Sequence, residues 1–394
     1  MIDADNLVIF MSDSIRWDSH PSSIAESGLT FKTVASSLFT PPSHASMLTG
    51  LYPHNHGVSG FFEELPSSLE TILDSFQNAG LSDVRGHFDD KIQGEYFNEA
   101  IYKTLLSRYD QKPLDEMNEP FGWFMRDPGG HAPYGGWDLS MNVAESVPDF
   151  FDRYAGDEEA LRRRYKQGVE LSVKRFEKYV IEPLESRGIL DDTLVVFLSD
   201  HGEQIGDHGH CGQSIPATPE VAYVPTTFIH PDLETGRSDR LFRHIDLPKT
   251  ISSLMSVKGP KNTDGVDVFS ESPAWGYSLI KRTFPSIIGS FDYEVRSIWD
   301  SDGGYVHNTS PLWNKTKFTG GYLSKIPSGK QLRRKPQAEG LKLLFESYHE
   351  WGKPNFSLEF AREKLEGIEY SRSKKARGQL DESTKDHLEQ MGYI

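Results

Sequence analysis

Two apolar runs, far apart in the chain, each stop at residues able to hold a metal ion. Leu7-Val-Ile-Phe-Met-Ser ends at Asp13, and Thr193-Leu-Val-Val-Phe-Leu-Ser ends at Asp200-His201-Gly-Glu203. Unbroken apolar runs of this length suit strands covered on both faces. In an open α/β sheet, ligands sit beyond the carboxyl ends of the strands. Asp13, Asp200 and His201 are therefore expected to meet at one edge. Two carboxylates and an imidazole make a hard, anionic nest for a divalent cation.

A third segment adds a nucleophile. Residues 38–58 read Leu-Phe-Thr40-Pro-Pro-Ser-His44-Ala-Ser-Met-Leu-Thr-Gly50-Leu-Tyr-Pro-His54-Asn-His56-Gly-Val. Proline is tolerated in the first turn of a helix because its missing N–H would have no intrahelical partner. Thr40 is thus predicted at a helix N-cap, where free N–H groups and the dipole attract anions. Alone, Thr-Pro-Pro-Ser is only a helix-start signal. Beside a divalent metal, the hydroxyl would lose its proton more easily and attack a phosphorus or sulfur centre. His44 lies one turn later and is expected to face the same pocket. His208 and His210 follow the metal pair in a glycine-rich loop, with a substrate contact or a second-metal role weighed for His210. His54 and His56 read as structural loop histidines. Arg16 and Asp18 read as a salt bridge buttressing the loop after Asp13.

The elements that must position these residues alternate. Strands are expected at 7–12, 121–126, 193–199 and 224–229. Helices are expected at 40–50, at 67–80 with Gly80 as its C-cap, at 157–188 with Pro183 kinking or closing it, and from Asp246. After about residue 270 the texture changes. Arg296-Ser-Ile-Trp and Gly304-Tyr-Val-His, joined through Asp300-Ser-Asp-Gly-Gly, predict a hairpin in a smaller antiparallel sheet. The basic clusters Lys330 to Lys335 and Arg372 to Arg377 read as a solvated surface. The expected organisation is a catalytic α/β domain over 1–270 and a C-terminal subdomain over 271–394.

Composition narrows the function. The chain has 394 residues, with 42 Lys+Arg against 58 Asp+Glu, a net charge of −16. That argues against non-specific binding of nucleic acid or of an anionic membrane surface. A small anionic ester is still compatible, because a metal reverses the local field. The single cysteine, Cys211, allows no internal disulfide and no cysteine-based zinc site. No signal-peptide core and no transmembrane run of about 20 apolar residues is visible, so a cytoplasmic protein is expected. Asn308, Asn314 and Asn355 begin glycosylation-type triplets, read here as chance.

Thr40-Pro-Pro-Ser-His-Ala-Ser-Met-Leu-Thr-Gly50 resembles the active-site signature of the sulfatase family, in the alkaline phosphatase superfamily. Leu51–Val58, Gly130-His131-Ala-Pro133-Tyr134, Leu190–Gly209 and the closing Leu388–Ile394 are similar to the family too. The resemblance implies a mostly parallel sheet sandwiched by helices, with a smaller antiparallel C-terminal sheet. It implies one divalent ion, Mn, Mg, Ca or Zn, held by Asp13, Thr40, Asp200 and His201. It implies that His131 contacts the substrate or protonates the leaving group, a role shared in prospect with His210. Three positions depart from the pattern. Thr40 stands where the family makes formylglycine from Cys or Ser. His44 replaces an Arg, and Ser14 replaces a second Asp. A lysine common after the Asp-His motif is also missing around Gln213. Thr40 resembles the phosphate-handling branches, so a phosphodiester or phosphonate, of a sugar or a lipid, is expected over a sulfate. A sulfatase using unmodified threonine and a non-catalytic binding relative are the alternatives. Oligomeric state is not legible.

Overall fold

The computed structural model describes residues 1–61, 63–83, 109–134, 146–213, 215–285 and 290–370. The expected readings at Arg372 to Arg377 and Leu388–Ile394 lie outside these residues.

The main sheet has eight strands. In chain order these are β1 (Asn6–Ser12), β2 (Leu29–Val34), β3 (Asn78–Asp83), β4 (Asp110–Gln111), β5 (Phe121–Asp127), β6 (Thr193–Leu198), β9 (Tyr223–Ile229) and β10 (Gly236–Arg243). Between β6 and β9 lies a small ribbon of β7 (Gln204–Ile205) and β8 (Cys211–Gly212). The spatial order of the main sheet is β10-β2-β9-β6-β1-β5-β3-β4. Only β9 runs opposite, pairing antiparallel with both β2 and β6. The parallel strands β6, β1 and β5 lie side by side at the centre.

Every residue of β1 and β6 is buried. Within each run the side chains alternate between two cores. Leu7, Ile9, Met11, Leu194, Val196 and Leu198 pack on one face of the sheet, and Val8, Phe10, Val195 and Phe197 on the other. This is why the runs are apolar throughout instead of alternating: both faces are covered, so the period of two sorts residues between cores, not between core and water.

The 157–188 pattern forms one long helical stretch. Asp157 caps it by accepting from the Ala160 N–H at 3.0 Å. Glu158–Phe176 is regular, Glu177–Ile181 widens into a π-type turn, and Glu182–Arg187 completes it. The wide turn, just before Pro183, lets the chain absorb a residue with no N–H to donate. Gly188, at φ +68°, ends the stretch.

The helix expected over 67–80 is not there. Ile72–Ser75 is a short 3-10 turn closed by a Thr71/Asp74 capping box, and Asn78–Asp83 is strand β3 beside β5. Gly80 is no C-cap: a Cβ there would stand 2.6 Å from Met117 Sδ, so the glycine permits close packing on a strand. Pairing with β5 overrides the local helical spacing.

The C-terminal part forms an antiparallel sheet in the order β11 (Gly276–Pro285), β12 (Ser290–Trp299), β13 (Gly303–Asn308) and β14 (Tyr348–Gly352). The β12–β13 hairpin turns where expected, with Asp300 Oδ1 accepting from the N–H groups of Asp302 and Gly303. A helix over Leu358–Glu366 covers one face through Ala361 and Leu365. The second sheet reaches back to the segment that follows β2: the Leu279 N–H donates to Ser36 O at 3.0 Å, and the Ser278 hydroxyl donates to Ala35 O. Those two carbonyls belong to the loop that leads into Thr40.

Phe197 stacks on Phe10 (5.5 Å between centroids) and meets Phe176 edge-on (5.3 Å), so these rings pin the long helix to the sheet. Phe176→Ala is expected to cost about 3–5 kcal/mol, the range for an emptied aromatic core position. Urea unfolding followed by circular dichroism reads this directly.

Candidate active site

The carboxyl ends of β1, β5, β6 and β3 deliver Asp13, Asp127, Asp200 and Asp83 to one edge of the sheet. Asp13, Asp200 and His201 come together there, with donor atoms within 4.8 Å of one another. His201 Nε2 lies 3.4 Å from Asp200 Oδ2 and 4.0 Å from Asp13 Oδ1. All three side chains are fully buried.

Thr40 joins them. Its Oγ1 is 3.1 Å from His201 Nε2, and it too is fully buried. His201 Nδ1 lies 3.0 Å from Gly202 O, a pure acceptor, so that nitrogen carries the proton. The Nε2 lone pair then faces the cluster and accepts from the Thr40 hydroxyl. Thr40 is the first residue of the Thr40–Thr49 helix, with Phe39 as N-cap, one position later than expected. The two prolines follow inside the first turn, where no donors are lost.

Backbone geometry holds the two acids in place. Ser14 adopts φ +62°, rare for a residue with a Cβ. That conformation lets its N–H donate to Asp200 Oδ1 (3.1 Å) while its hydroxyl donates to Asp13 Oδ1 (2.8 Å). Gly129, at φ +46°, lets the next loop cross the Asp13 backbone; a Cβ there would lie 2.4 Å from Asp13 O. His131 follows, close enough to Asp13 for the two groups to interact electrostatically.

Arg126 was not singled out from the sequence. It is buried at the end of β5 and bridges Asp13 Oδ2 (3.0 Å) and Asp83 Oδ2 (3.1 Å). The available signal was a lone charge closing the apolar run Phe121-Gly-Trp-Phe-Met. His244 was missed as well. Its Nε2 bonds Ser199 O (2.8 Å) and its Nδ1 accepts from the Ser36 N–H (3.2 Å), tying the β6 terminus to the loop before Thr40. Glu203 had been quoted only as part of a motif. It is fully buried, accepts from Tyr134 OH at 2.7 Å, and is pushed well above the usual carboxylate range by burial.

The remaining histidines separate. His44 is fully buried, with Nε2 3.7 Å from Asp200 Oδ2 and no hydrogen bond on either nitrogen. His131 is buried; its Nδ1 approaches Ala132 O and its Nε2 lies 3.1 Å from Gln213 Nε2. His210 is committed elsewhere: Nε2 donates to Gly340 O (3.0 Å) and Nδ1 accepts from Tyr322 OH (2.9 Å). Both of its nitrogens brace the C-terminal part. His208 pairs with Glu220 at 3.6 Å. His56 bonds Ser46 Oγ and the Val58 N–H, a structural role. Arg16 ties Asp18 to Asp207.

Electrostatics set the acids apart. Burial raises Asp13, but His131, Arg126, His201 and Ser14 together outweigh it and hold the group at about 2. Burial and then the Asp13 charge push Asp200 up to about 6. Burial holds His131 down at about 4 and His44 at about 3.

The donors fit a divalent ion. Ligand atoms about 2.1 Å from a shared metal stand about 3.0–4.2 Å apart, and His201 Nε2 lies 3.1 Å from Thr40 Oγ1, 3.4 Å from Asp200 Oδ2 and 4.0 Å from Asp13 Oδ1. Asp200 Oδ2 is buried and accepts no hydrogen bond, a carboxylate oxygen whose need a cation would meet.

Comparison with known proteins settles the family. The Sulfatase profile matches residues 5–130 and 116–257. The chain belongs to the sulfatase family. This sulfatase-family chain is 30% identical to the low-salt glycan biosynthesis sulfotransferase Agl7 of Haloferax volcanii, over 99% of its own length and 96% of that protein. It is 28% identical to the extracellular sulfatase SULF-1 homolog of Drosophila melanogaster, over 34% of its length and 12% of the relative. Among solved structures, the phosphonate monoester hydrolase of Agrobacterium radiobacter superposes with a TM-score of 0.55 at 16% identity, covering 77% of this chain and 87% of that one. A 2-O GAG sulfatase superposes with a TM-score of 0.56 at 16% identity, covering 84% and 88%. These structures share the fold. Among the described residues no helix is long and apolar enough to cross a membrane.

A metal ion held by these residues would have to displace the proton from Asp200. Affinity for Mn²⁺ is therefore expected to be level above about pH 6 and to fall roughly tenfold per unit below it. Asp13→Asn removes the neighbouring charge and moves the onset lower. Isothermal titration calorimetry between about pH 5 and 8 checks both.

Proposed function

We propose that this protein is a metal-dependent group-transfer enzyme in which Thr40 takes a sulfuryl or phosphoryl group from an ester and passes it to an acceptor. The observation that carries this reading is the Thr40 hydroxyl, 3.1 Å from His201 Nε2, inside a buried cluster of two carboxylates and an imidazole. Asp13, Asp200, His201 and Thr40 are the ligands proposed for one divalent ion. The mixed oxygen and nitrogen set is compatible with Mn, Mg, Ca or Zn. When bound, the ion supplies Lewis acidity and offsets charge on the reacting group.

The residues divide the work. Thr40 Oγ attacks the sulfur or phosphorus in line; the Oγ–S or Oγ–P bond forms as the bond to the leaving oxygen breaks. The proton lost by Thr40 ends on the leaving oxygen. We assign its passage to His131, which lies close enough to Asp13 to shift that acid; the Nε2 that would take the proton rests 3.1 Å from Gln213 Nε2 and must leave that contact to do so. The acceptor hydroxyl then attacks the Thr40 adduct, its proton returns to Thr40 Oγ, and the chain is regenerated. His210 is left out of this scheme because both of its nitrogens are bonded to the C-terminal part.

The near full-length similarity to a glycan biosynthesis sulfotransferase supports sulfate as the group and a sugar hydroxyl as the acceptor. The expectation of a phosphodiester or phosphonate is the second reading. It is favoured by Thr40 itself, an ordinary hydroxyl at the position where the family uses an aldehyde.

The test pairs p-nitrophenyl sulfate, bis-p-nitrophenyl phosphate and p-nitrophenyl phenylphosphonate, with Mn²⁺ and with or without a sugar acceptor. Thr40→Ala is expected to lower turnover by at least about a thousandfold, the scale of losing a covalent nucleophile. Thr40→Ser keeps measurable activity. Peptide mass spectrometry of the wild type, quenched during turnover without acceptor and then digested, is expected to show the adduct on a peptide that contains Thr40. Equal rates in wild type and Thr40→Ala would refute a nucleophilic Thr40.

A further inference from the structure

His44 has an unmet hydrogen-bonding need inside the site. It is fully buried, and neither ring nitrogen has a partner. A neutral imidazole holds one N–H donor and one acceptor. A dry donor loses its hydration without replacement, so such groups nearly always answer to something. The ring sits four residues after Thr40 on the same helix and hence on the same face. Phe124 meets it edge-on at 5.6 Å, which blocks one side. Its Nε2 is 3.7 Å from Asp200 Oδ2, too long for a hydrogen bond between them. The nitrogen-bearing edge therefore lies beside Asp200, on the helix that begins at Thr40.

The positive charge at this edge is already matched. Arg126 gives one terminal nitrogen to Asp13 and the other to Asp83. A divalent ion would balance the charges of Asp13 and Asp200. An incoming group with one negative charge asks little more of a buried site, whereas among the described residues a second charge has no further cation to answer it.

Building on the Thr40 reading, we propose that His44 donates a hydrogen bond to a peripheral oxygen of the bound tetrahedral group and restricts the site to singly charged esters. Sulfate monoesters, phosphodiesters and phosphonate monoesters qualify. Phosphate monoesters, which lose a second proton with a pKa of about 6, do not. His44 acts here as a neutral donor, so it orients an oxygen without paying for a second charge.

Two unreactive anions of matched shape test this by binding alone: benzenesulfonate, with one charge, and phenylphosphonate, with two at about pH 8.5. Calorimetry on the Mn²⁺-loaded wild type is expected to show at least tenfold tighter binding of benzenesulfonate. His44→Gln, which keeps a neutral donor, preserves that ratio. His44→Leu weakens both anions together, and His44→Arg narrows or reverses the preference. Equal or tighter binding of phenylphosphonate by the wild type overturns the proposal, and so does full benzenesulfonate affinity in His44→Leu. Because neither anion reacts, the result does not depend on Thr40 being the nucleophile. Should Thr40→Ala retain wild-type turnover, the transfer reading fails while the charge preference still stands or falls on these titrations.

Discussion

Two carboxylates with no solvent exposure face one another across the end of the central sheet. Like charges in a low-dielectric interior repel strongly, and each has lost its water. Asp13 and Asp200 remain side by side because other groups answer them: Arg126 on one oxygen of Asp13, Ser14 on both acids, and His201 between them. Asp200 Oδ2 is the one oxygen of the pair left with no hydrogen bond. The trio of Asp13, Asp200 and His201 is a buried anionic cluster with the donor set to hold a cation. Ser14 in a left-handed conformation and Gly129 laid over Asp13 are the backbone adjustments that keep the acids there.

The rest of the fold serves that cluster. Central parallel strands place β1, β5 and β6 termini at the same level, so residues from positions 13, 126 and 200 become neighbours. Thr40 arrives by another route, at the start of a helix. The loop before that helix is secured twice, by His244 from the β6 side and by the second sheet through Ser278 and Leu279. The C-terminal part is thus a brace for the loop that leads into Thr40. It also engages the loop after Asp200 and His201, through His210, Tyr322 and Gly340.

Much of this was readable in one dimension. Strands that are apolar on both faces announce themselves by composition, and an acid at the end of such a strand marks the functional edge. The β1 and β6 runs, the Thr40 helix and the Asp300 hairpin all follow from local pattern. Where local pattern competed with pairing, it lost: the three- and four-residue spacing over 67–80 mimics a helix, yet a parallel neighbour draws Asn78–Asp83 into the sheet. Histidines were the least legible residues. His44, His131, His208 and His210 carry the same ring and sit in similar glycine- or proline-rich contexts. Only their contacts separate a bonded brace from a ring turned to the site.

Residue types and their order were enough to determine the family, the two-sided parallel core, and the trio of Asp13, Asp200 and His201 with Thr40 as partner. Those depend on hydrophobic period and on short motifs, both properties of neighbouring residues. Tertiary structure alone decided that Arg126 and His244 hold the site together, that His210 supports the wall, and that His44 keeps an unanswered N–H beside Thr40. Each of those outcomes depends on distances between residues more than forty positions apart or on burial of a particular ring edge, and no local spacing encodes either.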